Sequence, residues 1–161
     1  ALILRAFIVT KTAAFAWVLI FMNQLFIALA IAFNEQFSFE QVHLYLSGVF
    51  VSVIVGYFCL YRLKKLKEDI SLSGFHGHSH YYPRLSLVFL IACLGLSGFP
   101  ITPTFIGEDL MLGHVHKNQF VLAFLVALNF ILDGLAIFRI YARLFLGPNE
   151  RGEHELAYRS S

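Results

Sequence analysis

The chain has 161 residues, a formal net charge of +2, a hydrophobic share of 58% and a charged share of 14%. Soluble domains run nearer ~45–50% and ~25%, and a chain this short has no interior large enough to hide the excess, which includes 18 phenylalanines. These values exclude an ordinary soluble domain, and no basic block suits nucleic acid; the natural solvent for the apolar excess is lipid.

Residues 1–11 form a lead-in whose amphipathic stretch Leu2–Val9 reads as the end of a preceding helix. Four apolar spans follow: Thr12–Phe33, Leu44–Tyr61, Leu85–Leu112 and Gln119–Leu146. Each is near or above the ~17–25 residues that a membrane helix needs. Residues 12–146 are therefore expected to be an all-α, polytopic membrane region of about four helices, followed by a polar tail over 147–161. Cys59 and Cys93 lie in apolar runs and read as small hydrophobes. No cleavable signal pattern is visible, and a start at Ala1 suits a processed, trimmed or partial chain.

Lys and Arg set the expected orientation. Arg5 and Lys11 precede the first span, none lies between Asn34 and His43, and Arg62, Lys64, Lys65, Lys67 and Arg84 follow the second. Lys117 stands alone after the third, and Arg139, Arg143, Arg151 and Arg159 mark the end of the fourth and the tail. This alternation puts both termini and the Arg62–Arg84 connection on the cytoplasmic side of a bacterial inner membrane or its equivalent.

The third span holds the stretch "SGFPITPTFIGED". As one helix it would run ~42 Å, longer than the ~30 Å hydrocarbon core. Gly98, Pro100 and Pro103 predict a break, since each proline lacks a donor and crowds the turn before it. Backbone freed by a break must face protein or water, and such helices mark ion and substrate sites in transporters. Glu108 then lies along the second half-helix beside a wet cavity; alternatively the span ends near Ile106 and Glu108 and Asp109 sit among headgroups. Asp133, near the middle of the last span, is either a protonatable relay or a structural contact, with Asn129 one turn earlier as a partner. His43 is either a proton relay or an interfacial histidine.

His76, His78 and His80 alternate in one loop, with His114 and His116 in another, but no cysteine or carboxylate completes a metal-ligand set. The expectation is no metal. No phosphate loop, dinucleotide fingerprint, triad or haem ligand pair is present either, so no cofactor and no self-contained enzyme site is expected.

The segment "YYPRLSLVFLIACLGLSGFPITPTFIGEDLML" resembles the proton-conducting, antiporter-like membrane subunits of respiratory complex I, Mrp-type Na⁺/H⁺ antiporters and membrane-bound hydrogenases. Those subunits carry a proline, a hydrophobic run and "L-x-G-x-P" leading into "G/N-F-x-G/S-K/E"; Phe105, Gly107 and Glu108 match that ending. "YRLKKLKEDISLSGFHG" and "AIFRIYARLFLGP" resemble the flanking family segments. The resemblance implies that the four spans correspond to the tenth to thirteenth helices of a fourteen-helix subunit. It implies that Glu108 ends a proton path in a discontinuous helix and that His43 is a relay opening the next-earlier helix.

The chain departs from the family at Asn23, which stands near a titratable histidine of the tenth helix, and at "TPTF", which replaces a glycine-rich break. It has no counterpart of the first nine helices or the fourteenth, so other membrane subunits are expected to supply them. The resemblance thus implies part of a proton-translocating subunit, not catalytic alone, in an NADH–quinone oxidoreductase-like assembly. Two alternatives stand beside it: a structural subunit that has lost transport, and a subunit of an energy-coupled inorganic-carbon uptake complex.

Overall fold

The computed structural model describes residues 2–33, 39–66, 68–100, 102–113 and 120–148. Residues 34–38 of the Asn34–His43 connection, Lys67, residues 114–119 with His114, His116 and Lys117, and Arg151 and Arg159 of the tail lie outside the described residues. The described chain is all-helical: α1 Leu2–Ile8, α2 Ala13–Ala32, α3 Phe39–Lys65, α4 Pro83–Leu96, α5 Pro103–Gly113 and α6 Phe120–Phe145, with a 3₁₀ turn at His78–His80. Helices α2, α3 and α6 are each long and apolar enough to cross a membrane. The shorter apolar α4 and the following α5 form the discontinuous third element, as expected of this polytopic membrane fold.

Helix α3 is central and touches α2, α4 and α5. In lipid, apolar burial does little to join helices, so close packing must. Small residues four apart, Gly48, Ser52 and Gly56, give α3 that close-packing face. A Cβ on Gly48 would strike Thr104 of α5, and one on Gly56 the Trp17 indole of α2; Ser52 meets Gly95 of α4. The α3–α5 contact is reciprocal, because a Cβ on Gly107 would lie 2.6 Å from Tyr45 Cβ. Trp17 is fully buried, donates Nε1–H to the Val53 carbonyl at 3.1 Å, and lies in a row of tilted rings with Phe89 of α4 and Phe145 of α6, at 5.1 Å from Trp17 to Phe89 and 5.3 Å from Phe89 to Phe145.

One end of the bundle is tied by backbone hydrogen bonds. Ala13 N–H donates to Ile70 O, Leu72 N–H to Thr10 O, and His76 N–H to Arg143 O, at 2.8, 2.7 and 2.9 Å. The Arg62–Arg84 connection thereby caps the end of α6 and pins the α1–α2 link, so these ends share one face of the bundle. Arg139 donates to the Ala6 and Val9 carbonyls at 3.2 and 3.4 Å, a cation at the end of α1 where the helix dipole favours it. The three loop histidines hold backbone: His76 Nε2 meets Ser71 O, His78 Nε2 meets Asp69 O and His80 Nε2 meets Gly147 O, at 2.9, 2.8 and 3.1 Å. Asp69 accepts the Ser71 N–H at 2.8 Å, the largest of the influences that hold its carboxyl below the usual range, with the Ser71 hydroxyl and the nearby histidines adding to it.

A candidate proton site at a broken helix

The break has a definite construction. Ser97 N–H bonds Cys93 O at 2.9 Å, and Phe99 N–H reaches back to Leu94 O at 3.0 Å around Gly98, whose φ is +68°. This is a glycine C-terminal cap, open to Gly because other residues pay a steric penalty there. Thr102 N–H then bonds Phe99 O at 3.1 Å, closing a turn that contains Pro100. Pro103 is the first residue of α5, where its missing N–H costs nothing, and Thr102 Oγ1 accepts the Phe105 N–H at 3.2 Å as its N-cap. The prolines therefore do not distort a helix from within, as the sequence suggested; Gly98 ends one helix and Pro103 starts the next.

Pro100 has a second effect. Continued helix would give the Leu96 carbonyl the amide of residue 100, which proline lacks. Gln24 of α2 takes that carbonyl instead, its Nε2 donating at 3.4 Å. The Tyr45 hydroxyl of α3 donates to Gln24 Oε1. Tyr45 and Gln24 are 0% and 1% exposed, so this chain of groups is closed to the surroundings. Asn23, one residue before Gln24, donates Nδ2–H to both oxygens of Asp133 at 3.0 Å, and Asp133 is 1% exposed.

Glu108 faces the same region. Its carboxylate lies against Gly98, where any Cβ would collide with it, while Asp109 is exposed. The charges of Glu108 and Asp133 both act on the Tyr45 hydroxyl, and that of Asp133 acts on Glu108. Thr104 Oγ1, beside Gly48, is buried and has no hydrogen-bond partner among the described residues. The result is a buried polar row contributed by α5, α3, α2 and α6.

The structure thus brings Glu108 and Asp133 into one neighbourhood together with the Gly98–Pro100–Pro103 break. It does not bring His43 there: that residue lies two positions before Tyr45, on the opposite face of α3, and is exposed on this chain. Asp133 pairs with Asn23 on another helix rather than with Asn129 on its own, and Asn129 instead lines a groove of about 550 Å³ between α1, α2 and α6. Tyr45 was missed from sequence because a tyrosine near a span end reads as an interfacial anchor. The signal available was its register with Gly48 and Ser52, which puts it on the close-packed face.

The model of the family described as NADH:quinone oxidoreductase/Mrp antiporter, TM, matches residues 21–132, more than half of the chain. The chain belongs to this family. The match takes in Asn23, Gln24, Tyr45, the break and Glu108, and stops one residue before Asp133. The chain is similar to NADH-quinone oxidoreductase subunit M of Rickettsia prowazekii (strain Madrid E), 36% identical over 95 residues, which are 59% of this chain and 18% of that protein. The subunit M of Rickettsia bellii (strain RML369-C) gives the same values. NADH-ubiquinone oxidoreductase chain 4 of Dictyostelium citrinum is 32% identical over 74 residues, 46% of this chain and 18% of that one. The chain thus spans under a fifth of the length of the curated relatives it matches. No solved structure matches it.

Proposed function

We propose that this chain is part of a proton-translocating membrane subunit in a complex I-like or Mrp-like assembly. The observation that carries this reading is the buried polar row beside the broken helix, with Glu108 at one end. Ionisable groups at membrane depth are costly and mark ion pathways, and interrupted helices supply the polar backbone such pathways use. Glu108 exchanges protons with the outer aqueous side. Tyr45 and the Thr104 hydroxyl carry short hops inward, and Asp133 receives the proton in a place fixed by Asn23. His43, facing away from the row, hands protons to helices outside this chain. Other membrane subunits supply those helices, and the face built by the Arg62–Arg84 connection is cytoplasmic.

Loss of transport was suggested by Asn23 in place of a titratable group. Its hydrogen bond to Asp133 weakens that suggestion, because a carboxylate stands next to it. The test is proton flux into vesicles containing the assembled complex. Glu108→Gln is expected to lower flux by about 100-fold, the usual scale for losing a proton-transfer group, with assembly unchanged. Asp109→Asn, altering the exposed neighbour, leaves flux as it was. Full flux in Glu108→Gln contradicts the proposal.

A further inference from the structure

Between the last turns of α3 and the first turns of α4 lies a groove of about 590 Å³. Its walls are apolar, with Phe58, Leu85 and Val88 among them, and its rim carries Arg62, Arg84 and Tyr81. Arg62 is held in place by stacking over the Phe58 ring at 5.3 Å. Among the described residues neither guanidinium meets a carboxylate, and Glu68, the nearest acid in sequence, accepts the Tyr82 hydroxyl at 3.0 Å and faces His78 at 3.7 Å. The groove lies where α3 leaves its apolar span through Lys64 and Lys65, which places it at bilayer headgroup depth. From it, exposed apolar side chains continue toward the bilayer centre at helical spacing, Ile54 on α3 and Ile91 on α4, both about 60% exposed (65% and 59%).

We propose that this groove binds an anionic phospholipid, with the phosphate between Arg62 and Arg84 and an acyl chain along the α3–α4 strip. Two guanidiniums that meet no carboxylate among the described residues call for a phosphate oxygen set, which Arg binds in a two-pronged geometry. The apolar walls and strip call for hydrocarbon attached to that phosphate, which a free phosphate ion lacks. An apolar partner helix laid over the groove would bury both cations, at high cost. Basic pockets between membrane helices on the cytoplasmic side fit anionic headgroups for the same reasons.

The test uses the assembled complex in vesicles doped with a photoactivatable phosphatidylglycerol or, separately, with a phosphatidylcholine probe of the same acyl chains. Labelled peptides are mapped by mass spectrometry. The phosphatidylglycerol probe is expected to label peptides covering 58–66 and 81–88 several-fold more than the phosphatidylcholine probe. Arg62→Gln or Arg84→Gln should each lower that excess about five-fold, the scale of one basic residue at an anionic surface. The Arg62→Lys/Arg84→Lys double variant, which keeps the charge and loses the two-pronged geometry, should fall below the unaltered complex and stay above either glutamine variant. Equal labelling by both probes, an excess that survives both glutamines, or no labelling by either probe each overturns the proposal; the last would mean that protein covers the groove.

Discussion

Tyr45 is the residue on which the candidate route turns. Its ring is packed, 6.2 Å from that of Phe130, and its buried hydroxyl donates to Gln24, the residue next to the one that holds Asp133. Tyr45→Phe removes one oxygen and leaves the packing. The Gln24 carbonyl loses its donor, a loss of ~1–3 kcal/mol for a buried group, which a chain embedded in an assembly should survive. Proton flux is expected to fall at least ~10-fold, since the hydroxyl would donate and accept in the same hop, while the amount of assembled complex stays the same. Unchanged flux would remove Tyr45 from the route. The sequence made Glu108 a candidate through its place after two prolines, and Asp133 through its depth in an apolar span. It gave no way to know that Asn23 would pair with Asp133, because that bond joins two helices whose relative rotation no single span encodes.

At the scale of elements, the broken helix and the small-residue face of α3 are one device. Gly48, Ser52 and Gly56 let α2, α4 and α5 approach α3 closely enough for Gln24 to reach the Leu96 carbonyl and for Thr104 to lie against Gly48. Because Gly98 ends α4, the Leu96 carbonyl receives no helical amide and Gln24 takes it. Gln24→Leu removes that donor together with the acceptor of the Tyr45 hydroxyl, a loss of about 1–3 kcal/mol, and flux is expected to fall by about five-fold with Glu108 intact. Undiminished flux in that variant would mean that Gln24 has no part in placing Tyr45. The existence of the break was legible in span length and in the prolines. Its construction was not, because the decisive conformation is the positive φ of Gly98, and a glycine in sequence does not declare its φ.

Across the whole molecule, the three long apolar helices and the shorter, broken apolar element follow from hydropathy, whereas the backbone hydrogen bonds that tie one end of the bundle do not. The role of the loop histidines did not, since alternation in sequence suggests ligands whereas the rings are used to hold carbonyls of the loop and of the chain just after α6. Arg139 likewise counted as an orientation charge and proves also to cap α1. The chain matches under a fifth of its curated relatives' length; in the proposed function its row of polar groups is one section of a longer path, and the central claim is that Glu108 changes protonation while that path is in use. Infrared difference spectroscopy of the assembled complex, triggered by a pH step across the membrane, reads this directly. The account predicts a protonated-carboxyl band that changes on the step and is absent from Glu108→Gln. The same band, unaltered in Glu108→Gln, would contradict it.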